Sequence, residues 1–143
     1  MVGRSATGLL FALALGVAVA GTALGGLPTA PAAVAPTLAV EGDRLVLTHR
    51  GGEAVDVRTL DVIVRVDGEP LARQPPVPFF SARGFRPGPT GPFNAAADPR
   101  WEPGERASIR VASTNRPSLV AGARVTVELR REGRRLAVLS ATA

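Results

Sequence analysis

The sequence predicts a mainly β protein, in which an N-terminal hydrophobic α-helix is followed by a small antiparallel Ig-like β-sandwich. Three observations predict it. Residues 8–27 carry no charge. After residue 36, apolar and polar residues alternate in short runs, the signature of half-buried strands. Turn pairs such as Gly42-Asp43, Asp67-Gly68 and Glu132-Gly133 separate those runs. The expected organisation is a leader and hydrophobic stem over 1–27, a Pro/Ala linker over 28–36 and a β head over 37–143.

The stem is read first. Twenty helical residues rise about 30 Å, roughly the hydrocarbon thickness of a bilayer. Gly8, Gly16, Gly21 and Gly25 leave little side chain along it, and small residues let helices approach closely. Three roles fit such a stretch. It is a cleaved export signal, with small-residue sites at Ala18-Val19-Ala20 and Ala30-Pro31-Ala32. It is a permanent membrane anchor. Or it is the packing element of a self-assembling filament. Pro28 ends the helix, because proline lacks the backbone donor. With Pro31 and Pro36 it makes residues 28–36 a semi-extended spacer.

The strands follow in order. Thr37–Glu41 and Arg44–His49 form a hairpin about Gly42-Asp43, and Arg50-Gly51-Gly52-Glu53 turns the chain. Residues 55–60 are a strand or bridging segment. Leu60, Val62, Val64 and Val66 then alternate with Asp61, Ile63, Arg65 and Asp67, so the first set faces the core. Later strands run over Arg106–Ala112, with Ile109 and Val111 inward, and Arg124–Arg130, with Val125, Val127 and Leu129 inward. Arg134–Thr142 comes last, with Leu136 and Val138 inward.

Residues 70–104 interrupt this rhythm. They hold most of the 13 prolines, together with Phe79, Phe80, Phe85, Phe93 and Trp101. A long irregular segment in a compact domain is usually functional. Either the rings fold back and complete the core, or they form a contact loop for a subunit or ligand.

Composition narrows the chemistry. The 17 basic residues are all arginine and are interspersed with 12 acids, giving +5. That mixture and the scarcity of aromatic residues exclude a nucleic-acid interface. There is no cysteine, which excludes disulfides and thiolate metal sites. His49 is the one imidazole, and no second histidine or cysteine could join it on a metal. No serine lies in a nucleophile context. The reading is therefore not an enzyme, with no catalytic residues, no metal and no cofactor. Arg130, Arg131, Arg134 and Arg135 cluster on the last hairpin, either in solvent or facing an acidic neighbour or anionic polymer.

Several stretches resemble the haloarchaeal type IV pilin-like proteins. They are the His49-Arg50-Gly51-Gly52-Glu53 turn, Val66-Asp67-Gly68-Glu69-Pro70-Leu71, the Pro/Phe-rich run from Gln74 to Asn94, and Trp101-Glu102-Pro103-Gly104-Glu105. The resemblance implies a structural subunit of an archaeal type IV pilus-like surface filament. It implies self-association through the stem, and partners in the membrane, a prepilin peptidase and the pilus assembly machinery. Leader processing would fall near Arg4 and Ser5, and helix packing would use Gly8, Gly16, Gly21 and Gly25. The protein would pass from the cell membrane to the cell surface, with the β head exposed for adhesion. The alternative is a membrane-anchored extracellular β-sandwich binding module that does not polymerise.

Overall fold

The structure is a computed structural model and describes residues 34–143. Among the described residues, nine strands form three antiparallel sheets. The first sheet has the order β1-β2-β7, from β1 (Val34–Glu41), β2 (Arg44–Gly52) and β7 (Arg106–Arg110). A short ladder joins β3 (Val55–Asp56) to β6 (Arg100–Trp101). The third sheet has the order β5-β4-β8-β9, from β5 (Glu69–Pro70), β4 (Leu60–Val66), β8 (Arg124–Arg131) and β9 (Arg134–Thr142).

Alternation sets which residues meet in the middle. Leu60, Val62, Val64 and Val66 of β4 are buried, as are Val125, Val127 and Leu129 of β8. Leu45, Leu47 and His49 come in from β2, and Ala107 and Ile109 from β7. Together they form one core, and full burial of each aliphatic chain contributes about 1.5–3 kcal/mol. The hairpin turns match the twist of their strands. Asp67 and Gly68 both have positive φ, as do Glu132 and Gly133, the geometry of a two-residue hairpin.

The proline-rich segment is irregular because its prolines cannot donate to a ladder. Side-chain amides hold it instead. Gln74 lies against the side of β4. Its Oε1 accepts from the Val64 N–H at 2.7 Å, and its Nε2 donates to Val64 O at 3.0 Å and Leu71 O at 3.1 Å. The buried Asn115 joins two loops. Its Oδ1 accepts from the amides of Arg73 and Arg116, and its Nδ2 donates to the carbonyls of Arg73 and Gly84. Farther on, Thr90 and Ser108 exchange backbone hydrogen bonds, and their hydroxyls meet at 2.6 Å. The turn after Thr90 needs glycine: Gly91 has φ +64°, and a Cβ there would lie 2.0 Å from Arg106 O.

Several expectations are corrected. The predicted fold class, an N-terminal hydrophobic α-helix with an Ig-like β-sandwich, does not hold. Among the described residues there is no α-helix, only 3-10 turns at Val57–Thr59 and Gly91–Phe93, and no helix is long and apolar enough to cross a membrane. Residues 8–27, where the stem helix was expected, lie outside the described residues. The strands divide among three sheets rather than two, because the 70–104 segment supplies bridges and side-chain pairings in place of full strands.

The linker boundary also shifts, since Val34, Ala35 and Pro36 belong to β1. Pro36 is tolerated because β1 is an edge strand, hydrogen-bonded on one side only. Gly51 and Gly52 likewise continue β2, with Gly52 paired to Val34. Finally, β9 turns over. A register shift between Leu129 and Arg130 pairs Arg130 with Arg135 but Leu129 with Ala137. Val138 therefore joins Glu128 on the outer face, 46% exposed, while Leu136 and Leu139 pack against the core.

Candidate functional site

The aromatic segment carries two expectations, rings that complete the core or a contact loop. Four of its rings are buried: Phe79, Phe85, Phe93 and Trp101. Phe79 packs on Phe85 with centroids 5.8 Å apart, and Phe93 on Trp101 at 5.7 Å. Single-residue bridges hold the rings in place, Phe79 to Asn94 and Phe85 to Val111. Phe80 alone of the five points outward, 62% exposed. Neighbouring residues on the chain thus divide, one ring in the core and the next in solvent, as extended backbone requires.

His49 and Trp101 organise one end of the head. The imidazole is fully buried and stands edge-on to the indole, 5.3 Å between centroids. Its Nε2 lies 2.7 Å from Glu53 O, and because a carbonyl only accepts, Nε2 carries the proton. Nδ1 is buried with no hydrogen-bond partner. The Glu105 carbonyl accepts from both the His49 amide (3.0 Å) and Trp101 Nε1 (2.9 Å), and the Gly104 amide donates to His49 O at 2.6 Å. The turn at 102–105 closes with the Glu105 amide on Glu102 O. The His49–Glu53 stretch and the Trp101–Glu105 stretch, far apart in sequence, are therefore one packed unit. His49 is spent on it as a structural pin.

The outer face of the third sheet carries the other concentrated polar group. Glu128 is buried, and three arginines close over it. Arg130 Nη1 donates to it at 2.7 Å, Arg135 Nε at 3.1 Å and Arg65 Nη1 at 3.3 Å. Burial alone would push the Glu128 carboxyl up. The hydrogen bonds from Arg130, Arg135 and Arg65 outweigh it and leave the group below the usual glutamate range. Arg130 also donates to the Gly133 carbonyl at the hairpin tip. Sequence reading identified the arginine cluster but missed Glu128 as its centre. The available signal was Arg130, two residues along on the same face. Arg65 is supplied by the pairing of β4 with β8, which is not written in either segment alone.

Two smaller ion pairs fix turns. At the far end, the hydrogen bond from Arg110 holds the Asp43 carboxyl below its ordinary range, with Arg86 adding to the effect. Beside β3, Arg58 hydrogen-bonds Asp56 through its guanidinium and its amide, lowering that carboxyl to about 2.

The remaining expected site residues, Arg4 and Ser5 for leader processing and Gly8, Gly16, Gly21 and Gly25 for packing, lie outside the described residues. Among the described residues, no group of three or more His, Cys, Asp or Glu side chains converges as a metal site would require. What the geometry offers is an apolar exposed ring at Phe80, an arginine-rich hairpin held on one carboxylate, and an end cap built on His49 and Trp101. No protein-family model, no curated protein and no solved structure matches the chain.

Proposed function

We propose that this chain is a structural subunit of an archaeal type IV pilus-like surface filament, held to its neighbours through the uncharged stretch 8–27 and presenting the β head outward. The observation that carries the reading is the junction. An uncharged stretch long enough for a bilayer leads through a proline-rich run into Val34, where a head with its own core begins. The use of polar groups supports it too. His49, Asn115 and Glu128 are all consumed in holding the head together, as suits a molecule that bears load rather than turns over substrate.

The test is assembly by the full chain. Purified protein should sediment as filaments visible by electron microscopy. Replacing Gly16 and Gly21 with Leu should stop filament growth while the chain still partitions into membranes, because bulk at those positions prevents close approach. Filaments of normal length from that variant would end the close-packing reading. Mass spectrometry of the mature chain should find a start near Ser5; a start near Gly21 would mean ordinary secretion instead.

The exposure of Phe80 favours one second reading, an anchored binding module that does not polymerise. In that case Phe80→Ala would lower surface adhesion without changing the melting temperature, and the full chain would stay monomeric.

A further inference from the structure

The pairing of the strands brings three features to one end of the head. Val34, where the chain enters, pairs with Gly52 at the end of β2. Val55 pairs with Trp101 just beyond, which sets Glu53 close to the 102–105 turn. Leu60 pairs with Arg131, so the β8–β9 hairpin tip lies at this end as well. Acidic side chains gather at one corner here, with arginines among them. The corner formed by β2, β3 and β6 carries Glu53, Asp56, Asp98, Glu102 and Glu105, with Arg58 paired to Asp56 and Arg100 to Glu102. Arg50 and Arg106 also border it. Among the described residues, Glu53 and Glu105 make no ion pair, although Glu105 Oε1 accepts from the Glu102 amide at 2.9 Å. The hairpin lies in the opposite sheet, where β9 runs beside β1.

The hairpin is repulsive by itself. Arg130 faces Arg135 across the ladder, and Arg131 faces Arg134 on the next rung. Like charges directly opposite are destabilising in a sheet. Glu128 relieves the first rung, through Arg130 and Arg135. Among the described residues no acid pairs with the second. Among the described residues, Arg131 and Arg134 thus keep free donors at this end of the head.

We propose that the Arg131–Arg134 rung of one copy docks on the Glu53/Glu102/Glu105 corner of the next, so that heads associate side by side around their points of chain entry. The partner is a second copy of this chain. The two patches are different, so the contact is head-to-tail, the kind that propagates into an open filament when its rotation does not close a ring. Opposite charge fixes orientation and rejects the wrong approach, since two arginine hairpins would repel. The contact rests on the filament reading and adds a second joint to it, made by the heads rather than by residues 8–27.

Charge reversal on the full chain tests it. One variant carries Arg131→Glu and Arg134→Glu; the other carries Glu53→Arg and Glu102→Arg. All four residues lie at or near the surface, and the 3.7 Å pair of Arg100 with Glu102 that the second variant breaks is between exposed side chains. Each variant alone should assemble at least about tenfold less than the parent at low salt. Mixed in equal amounts, they should recover parental assembly, because every hairpin then meets a corner of opposite sign. A misfolded chain would not be rescued by mixing. Assembly by the parent should weaken toward about 1 M salt, where charges are screened within about 3 Å. If either reversed variant assembles like the parent, or if the mixture stays dispersed, this contact is refuted and the filament reading survives. A parent chain that remains monomeric refutes both.

Discussion

The indole of Trp101 and the imidazole of His49 meet edge to face, their planes at 75°, and both residues hydrogen-bond the same carbonyl, that of Glu105. The first gives its ring nitrogen and the second its backbone amide. One oxygen thus ties β2, β6 and the turn before β7 into a single closed end. Because the ring contact and the hydrogen bonds share members, their losses will not add independently.

His49→Ala should destabilise the head by about 3 kcal/mol, combining a cavity beside Trp101 with the lost bond to Glu53 O. His49→Phe keeps the volume and the ring contact and should cost about 1 kcal/mol. Urea denaturation followed by tryptophan fluorescence measures both, since Trp101 is the only tryptophan. Equal losses for the two variants would mean that the bond to Glu53, and not the packing, is what matters.

Asn115→Leu should be among the most damaging single changes in the loops. It strands two amides and two carbonyls that the side chain now satisfies and should cost about 2–4 kcal/mol. Thermal melting is the measurement. Limited proteolysis should show cleavage shifting into residues 71–90, since that segment loses its tie to the 113–121 loop.

Glu128 links stability to pH. Its carboxyl is lowered in the folded head, so its contribution is complete above the ordinary glutamate range and is lost as pH falls through the folded value. Glu128→Gln should cost about 1–2 kcal/mol at pH 7, a modest figure because the three arginines are partly exposed. The gap between parent and variant should shrink below about pH 4.3. A gap that stays constant from pH 7 to pH 3 would show that the ion cluster is not its source.

Gly91→Ala should perturb the loop core more than any change of side-chain volume suggests. The new methyl would strike Arg106 O and sit at positive φ, two penalties with no flexible neighbour to absorb them. A loss of about 2–3 kcal/mol is expected, read as a lower urea midpoint.

How much of this was legible depends on where the information lies. β4 and β8 could be read residue by residue, because strict alternation with valine and leucine leaves one arrangement that hides the apolar set. The hairpin turns were equally plain, since few pairs adopt positive φ. β9 misled because one extra residue near Arg135 flips every side chain beyond it, and Leu136-Ala137-Val138-Leu139 has no polar residue to mark the flip. Pro36 misled for a different reason. Proline argues against a strand only when both edges are bonded, and edge status belongs to the sheet. The cluster at Glu128 was illegible for the same cause: Arg65 is distant in the chain and adjacent only through β4. In the proline-rich run, composition left open whether the rings complete the core or form a contact loop; that Phe80 is the ring left outside follows from the bridge at Phe79.

Gln74 carries one more consequence. Its amide continues the margin of β4 just beyond β5, taking the Val64 N–H and sharing Val64 O with the Leu71 amide, so no further strand can zip on at that rung. Shortening Gln74 to Ala would uncover a sticky border and invite clumping in a direction that an ordered fibre does not use.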